Sequence, residues 1–269
     1  MDKKFWIAYI SFVFIYVTAM IIFTPYDYTI TSSLFSPSIW LNEIFEVIGP
    51  IFMPFFTIYA VVSLIMNLKF QNKTKRVFSY IGFGLLYIYA FFMGCMSLKY
   101  SYASYLFIPS IILYILFTVL MVYLNKKVFV NYKDKHIRIC FVILIVVLTS
   151  LALTDIIKLA ISRVRFQEIS NLTPYNPWYV PTGRFVLNSS FPSGHVTRAG
   201  TTLCFALLLL YKGAKKRCVV LIEICALVFT ILVGISRLFE GKHFMCDILT
   251  ALFLIVSSYY LGKHFVLKN

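Results

Sequence analysis

Charge is scarce in this 269-residue chain, and negative charge scarcest of all: Asp and Glu number 10 against 25 Lys and Arg, and charged residues of both signs make up 13%. No soluble domain of this size needs an apolar fraction of 61% or a mean hydropathy of +0.86. The composition is that of a helical integral membrane protein. Cysteine is sparse as well. The six (Cys95, Cys140, Cys204, Cys218, Cys225 and Cys246) lie in or beside apolar runs, none paired at metal-ligand spacing, and the polar stretch 166–192 has none. That argues against a disulfide framework or a thiolate metal site and leaves small buried apolar residues. Internal repeats, low-complexity segments and any carboxylate cluster able to hold Mg²⁺ are also missing.

What the sequence has is long apolar runs. They fall near 5–24, 47–68, 77–97, 103–124, 139–161, 195–211, 218–236 and 244–262. Each can cross about 30 Å of hydrocarbon as a helix. The reading is an all-α, polytopic bundle of about eight spans, one transmembrane domain over 1–269. The first run is too long for a signal-peptide core and no small-residue cleavage site follows it, so it reads as a retained span. Ser97–Tyr102 breaks the run 77–124 and suits a tight hairpin.

The excess of basic residues is mostly orientation. With the N-terminus cytoplasmic, seventeen of the 25 Lys and Arg fall on the inner side, and the loop 25–46 outside carries Asp27, Glu43 and Glu46 with no Lys or Arg. This bias places both termini inside and makes a nucleic-acid partner unnecessary. The eight exceptions are Lys99, Lys158, Arg163, Arg165, Arg184, Arg198, Arg237 and Lys242. Most of them surround one region, the segment 158–192 together with the turn 237–243. Pro174, Pro177 and Pro181 bar a long helix in that segment. Tyr175, Trp178 and Tyr179 there fit an interfacial aromatic belt.

Three groups of polar residues open or close apolar spans. Ser193, Gly194 and His195 start the sixth: either a capped turn, or donors and a titratable imidazole at an anion-binding helix start. Lys158 and Arg165 lie seven residues apart, two helical turns, and can project from one face; alone they could be snorkelling cations, with Asp155 able to pair with Lys158. His243 and Asp247 form an i, i+4 pair if the last span begins there, with Arg237 just upstream. A carboxylate can fix an imidazole's tautomer, and buried ionisable groups in a membrane are functional by default. If spans five to eight pack together, Lys158, Arg165 and Arg237 surround an anion with about three positive charges and both histidines reach it.

Lys158-x6-Arg165, Pro192-Ser193-Gly194-His195 and Ser236-Arg237-x5-His243-x3-Asp247 resemble the three-part signature of the type 2 phosphatidic acid phosphatase superfamily. The resemblance covers about 158–262. It departs at Phe166, where the family usually has Pro, and the hairpin 77–124 looks additional to the usual six-span core. It makes 1–138 the N-terminal spans and 139–269 the catalytic core. It implies a lipid phosphatase with His243 as nucleophile through a phosphohistidine, Asp247 orienting it, and His195 as acid and then base. Lys158, Arg165, Ser193, Gly194 and Arg237 would bind phosphate, with no metal and no cofactor. The implied substrate is a lipid phosphate monoester or pyrophosphate (lipid A, undecaprenyl pyrophosphate, phosphatidylglycerophosphate or phosphatidic acid type), met at the periplasmic face of the cytoplasmic membrane. A phosphotransferase with the same site is a close variant. A non-enzymatic lipid or anion carrier would use the cations but gain nothing from His243 beside Asp247.

Overall fold

In the computed structural model, which describes residues 3–99, 104–127 and 133–267, the regular elements among the described residues are all helical. Apolar runs this long leave the helix as the way to satisfy backbone N–H and C=O groups in hydrocarbon. The α-helices are α1 (Lys3–Phe23), α2 (Asp27–Leu34), α3 (Trp40–Asn67), α4 (Lys73–Lys99), α5 (Phe107–Lys127), α6 (Lys133–Ile161), α7 (Gly194–Ala199), α8 (Cys204–Tyr211), α9 (Lys216–Phe239) and α10 (Met245–Leu267). Among the described residues, seven stretches are long and apolar enough to cross a membrane, and the protein is a membrane protein.

The sixth expected span, 195–211, is helical throughout but in pieces: α7, a 3₁₀ turn at Gly200–Leu203, then α8. The hydroxyls of Thr201 and Thr202 bond back to the carbonyls of Arg198 and Ala199 at 2.7 and 2.8 Å, a habit of Thr that bends helices. Of the hairpin turn expected at 97–102, residues 97–99 instead end α4, and residues 100–102 lie outside the described set. Its two helices, α4 and α5, pack against α3 and each other. A Cβ on Gly94 would meet the Tyr114 ring at 2.7 Å, so glycine sets that close approach.

Burial separates two kinds of helix. α1, α4 and α5 turn large apolar side chains outward (Phe14 71% exposed, Phe78 71%, Val119 62%), as a lipid-facing helix does. α3 is mostly buried and runs through the middle of the bundle. The main core joins residues of α3, α6, α8 and α10, among them Ile58, Leu64, Ile143, Leu207 and Ile255. The cysteine expectation holds for Cys95, Cys140, Cys204 and Cys246, which are buried. Cys218 and Cys225 are instead exposed on α9, on an outer face where a small apolar side chain suits lipid.

The loop expected over 25–46 is largely helical. α2 begins at Asp27, and α3 starts at Trp40, seven residues before its apolar run. The added polar turns are stabilised by tertiary contacts: Asp27, Asn42 and Glu46 are all buried, at 0%, 1% and 8% exposure. They pack at one end of the bundle, with the end of α6, the start of α7 and the α9–α10 turn. At the other end the Phe5 ring stacks on His264 at 3.8 Å, so the two ends of the described chain lie side by side.

Candidate active site

The helix that carries Lys158 stops sooner than the seven-residue spacing implied. α6 ends at Ile161, and Ser162 is left-handed with φ 48°. The Ser162 hydroxyl donates to the carbonyls of Lys158 (3.2 Å) and Leu159 (3.1 Å) and accepts from the Val186 amide at 2.8 Å, closing the helix. Arg165 is therefore not on a helical face with Lys158. It is extended (φ −77°, ψ 151°), the conformation that a following proline would impose, although Phe166 follows. The Phe166 ring packs instead against Phe35 (5.3 Å) and Tyr28 (5.5 Å). Gly241 makes room for it: its φ is +67°, and a Cβ there would lie 2.7 Å from Phe35 and 3.1 Å from Phe166.

Lys158 and Arg165 still meet at the same place. Lys158 is 7% exposed and donates from Nζ to the Ser189 carbonyl. Arg165 donates from Nη2 to Asn188 Oδ1, while its Nε is buried with no hydrogen-bond partner. Both lie within Coulombic reach of His243. The pairing of Asp155 with Lys158 is not seen: no ion pair joins them among the described residues, because Nζ turns to Ser189.

α7 begins on schedule. Ser193 is its N-cap, its Oγ accepting from the Val196 amide at 3.4 Å, which leaves the hydroxyl proton free to donate. The Ser193 amide donates to the Asp247 carbonyl at 3.1 Å, which ties the start of α7 to the start of α10. Gly194 faces Lys158, whose Cε lies 3.6 Å from where a Cβ would stand. His195 is half-buried, within Coulombic reach of Arg237, Arg198, His243 and Lys242.

His243 and Asp247 are not an i, i+4 pair on one helix. α10 starts at Met245, and His243 sits before it in the turn from α9. Asp247 caps that start: its Oδ2 accepts from the Phe244 amide at 2.8 Å and from the Ser190 hydroxyl. His243 Nδ1 lies 3.5 Å from the same oxygen, an ion-pair separation rather than a hydrogen bond. Burial pushes the His243 imidazole down to about 4. The Lys158 and Arg165 charges push the same way, and the Asp247 carboxylate opposes them. His243 is therefore neutral at pH 7, with Nε2 left as the nitrogen that can attack.

The other Asp247 oxygen is held by a residue that the motif reading left aside. Arg163 Nη1 donates to Asp247 Oδ1 at 2.7 Å, and its Nη2 donates to Asp27 Oδ2 at 2.8 Å. All three side chains are fully buried. The guanidinium lies 3.8 Å over the Phe244 ring and its Nη2 also reaches Tyr175 Oη at 3.2 Å. Asp27 in turn accepts from the Cys246 amide at 2.8 Å. Tyr175 and Trp178 thus pack inward rather than forming a belt, Trp178 donating to Thr24 Oγ1 at 3.0 Å; Tyr179 is exposed. The sequence reading marked Arg163 as one of the eight outside cations and gave it no partner.

Arg237 is fully buried in the last turn of α9. It pairs with Glu240 (2.5 Å) and donates to the Asn42 carbonyl at 2.8 Å. Lys242 pairs with Glu46 at 2.7 Å and Glu240 at 3.4 Å. Burial pushes the Glu240 carboxyl up, against the pull of Arg237 and Lys242. Glu46, which seemed only to mark an outer loop, is therefore a counter-ion beside the site, as is Asp27.

All eight sequence-picked residues gather at one end of the bundle: two imidazoles, a carboxylate, the Lys158, Arg165 and Arg237 cations, and a serine hydroxyl with its neighbouring glycine. Such a set can receive an anion, attack it from a neutral imidazole and exchange a proton. Comparison with curated proteins and with solved structures finds no match. Residues 136–269 match the profile of the PAP2 superfamily, and this stretch contains all but the first three residues of α6 and everything after it. On that match, with the three motifs meeting at one end of the bundle, the chain belongs to the PAP2 superfamily.

Proposed function

We propose that the protein is an integral membrane lipid phosphatase that works through a phosphohistidine on His243. The observation that carries this reading is the buried line Arg163–Asp247–His243, which faces His195 amid Lys158 and Arg165. Membership of a phosphatase superfamily supports it.

In this reading the lipid phosphate enters the cationic end of the bundle. Lys158, Arg165, Arg237, the Ser193 hydroxyl and the Gly194 amide hold its oxygens. His243 Nε2 attacks phosphorus as the bond to the lipid oxygen breaks, and the bonding pair leaves with that oxygen. His195 supplies the proton. The positive charge that develops on His243 is balanced by Asp247, held in place by Arg163 and Ser190. Burial, and after it the cations around His195, oppose its protonation, and the substrate's negative charge offsets the cations. Water then attacks the phosphohistidine, His195 takes its proton, the N–P bond breaks, and inorganic phosphate leaves.

The site faces the outer, periplasmic side of the cytoplasmic membrane in this reading, because most basic residues lie at the opposite end of the chain's spans. The test is phosphate release from a panel of lipid monophosphates and diphosphates by purified protein in detergent. His243→Ala is expected to abolish release and His243-linked ³²P labelling. A carrier would tolerate the substitution, and full retention of lipid or phosphate handling in His243→Ala would overturn the enzymatic reading.

A further inference from the structure

We propose that Glu46 is a positioning residue for the reaction: through Lys242 and Glu240 it sets where Arg237 and the His243 imidazole stand. The proposal rests on the phosphatase reading above. It extends the working site into α3, which lies outside the stretch 136–269 matched by the family profile.

The turn from α9 to α10 is gripped at both ends by one turn of α3. Glu46 Oε1 accepts from Lys242 Nζ at 2.7 Å, and the Asn42 carbonyl accepts from Arg237 Nη2 at 2.8 Å. Asn42 and Glu46 stand four residues apart, one above the other on the same helical face. Glu240 closes the ring, pairing with Arg237 at 2.5 Å and with Lys242 at 3.4 Å. The order round the ring is thus Glu46, Lys242, Glu240, Arg237 and Asn42. Two further contacts come from the segment just before α3. The Ser36 amide donates to the Phe239 carbonyl at 2.8 Å, and Phe35 packs against Gly241, where a Cβ would lie 2.7 Å from its ring.

The ring reaches the chemistry through the backbone. The Arg237 carbonyl accepts from the Lys242 amide at 3.1 Å and from the His243 amide at 3.3 Å. A shift of Arg237 or Lys242 therefore carries the nucleophile with it. Lys242 directly precedes His243 in the chain and is within Coulombic reach of His195.

Adhesion between helices does not account for these charges. Desolvating an ion pair offsets most of its attraction, and apolar side chains of similar volume hold helices together as well or better. Glu46 Oε2 is buried with no hydrogen-bond partner among the described residues, so the carboxylate depends on Lys242. A carboxylate 8% exposed in an apolar helix is costly, and what it secures is the cation next to the nucleophile. Glu46 also stands closer to Lys242 than Glu240 does, 2.7 Å against 3.4 Å, and so leaves Glu240 to orient Arg237.

The experiment measures kcat and KM for phosphate release from a lipid monophosphate by the purified full-length protein in detergent. Glu46→Gln should lower kcat by about 10- to 100-fold, the cost of a small misplacement of a reacting group. KM should not change, because Glu46 acts on the protein and not on the bound lipid. Lys242→Met should lower kcat too. Adding Glu46→Gln to it should cost little more, since the second change acts through a partner already removed. Glu46→Asp, one methylene too short to reach Lys242, should fall between wild type and Glu46→Gln. A wild-type kcat in Glu46→Gln, a loss carried by KM, or a full additional loss in the Lys242→Met background overturns the proposal. If Glu46→Gln does not fold, Glu46→Asp decides, and a wild-type kcat there overturns it as well. If wild type releases phosphate from no lipid, the phosphatase reading fails on its own. The His243 imidazole resonance in ¹³C-histidine spectra then reads the positioning directly. A shift in Glu46→Gln that vanishes in the Lys242→Met background supports it, and an unmoved resonance ends it.

Discussion

Arg163 Nη1 donates to Asp247 Oδ1 at 2.7 Å, while the other oxygen of that carboxylate stands 3.5 Å from His243 Nδ1. The imidazole is thus positioned through a carboxylate whose own orientation comes from an arginine outside the motifs. The same arginine reaches Asp27, so the start of α2 is tied into the site as well.

Removing this arginine leaves two buried carboxylates without their partner. Arg163→Met is expected to destabilise the protein by about 3–5 kcal/mol, the usual result of breaking one side of a buried ion pair. Adding Asp27→Asn should recover part of that loss, because one uncompensated charge disappears. Thermal unfolding in detergent reads both effects. If the single variant unfolds with wild type, Arg163 does not carry the network.

His243 supplies a pH dependence with a definite sign. Burial holds its imidazole at about 4, against an ordinary value near 6.5. Between those limits the unfolded chain binds a proton that the folded chain refuses. Stability is therefore lost as pH falls from about 6.5 toward 4, and is insensitive to His243 above that window. A ¹³C-histidine titration should show one resonance, absent in His243→Asn, that remains neutral well below pH 6. Asp247→Asn removes the charge that favours the imidazolium and should shift that midpoint further down. A His243 midpoint at or above the ordinary value would contradict the geometry.

The sequence made the chemistry more legible than the backbone that delivers it. Ser193 caps α7, and the eight motif residues converge, because short-range spacing and residue type encode them. The extended face joining Lys158 to Arg165 is absent because Ser162 is left-handed and its hydroxyl closes α6 early. His243 and Asp247 lie in a turn and a helix start because Asp247 caps Phe244. Those are contests between side-chain hydrogen bonds and helix continuation, which periodicity does not resolve. The partners Asp27 and Glu46 were hidden for another reason. They are more than a hundred residues from Arg163 and Lys242 in the chain, and a loop reading of 25–46 treats acids there as solvated.

Phosphate binding in this scheme rests on Lys158, Arg165, Arg237, the Ser193 hydroxyl and the Gly194 amide. Among the described residues no group of three His, Cys, Asp or Glu side chains stands ready to hold a metal ion, and the nearby acids are engaged by cations. Phosphate release is therefore expected to continue in excess EDTA at close to the untreated rate. Loss of activity on chelation, restored by adding back a divalent ion, would remove the metal-independent mechanism.

The proposed orientation of the site rests on where the two ends of the described chain lie. The stack of Phe5 on His264 puts the start of α1 and the end of α10 at one end of the bundle, with the catalytic cluster at the other. Lys3, Lys4 and Lys263 are at the shared end, as are Lys126 and Lys127 at the close of α5, and Lys135 and Arg138 at the opening of α6. The side richer in Lys and Arg stays in the cytoplasm during insertion. A phosphatase-type reporter active only outside the cell, fused after Asn269, is expected to be silent, and a fluorescent reporter active only in the cytoplasm to be bright. Cysteine accessibility gives an independent check: a cysteine placed at exposed Tyr179 should react with an impermeant maleimide on intact cells, and one placed at Lys127 should not. The reverse pattern would put the His243 cluster at the cytoplasmic face and with it the lipid phosphate that the site meets.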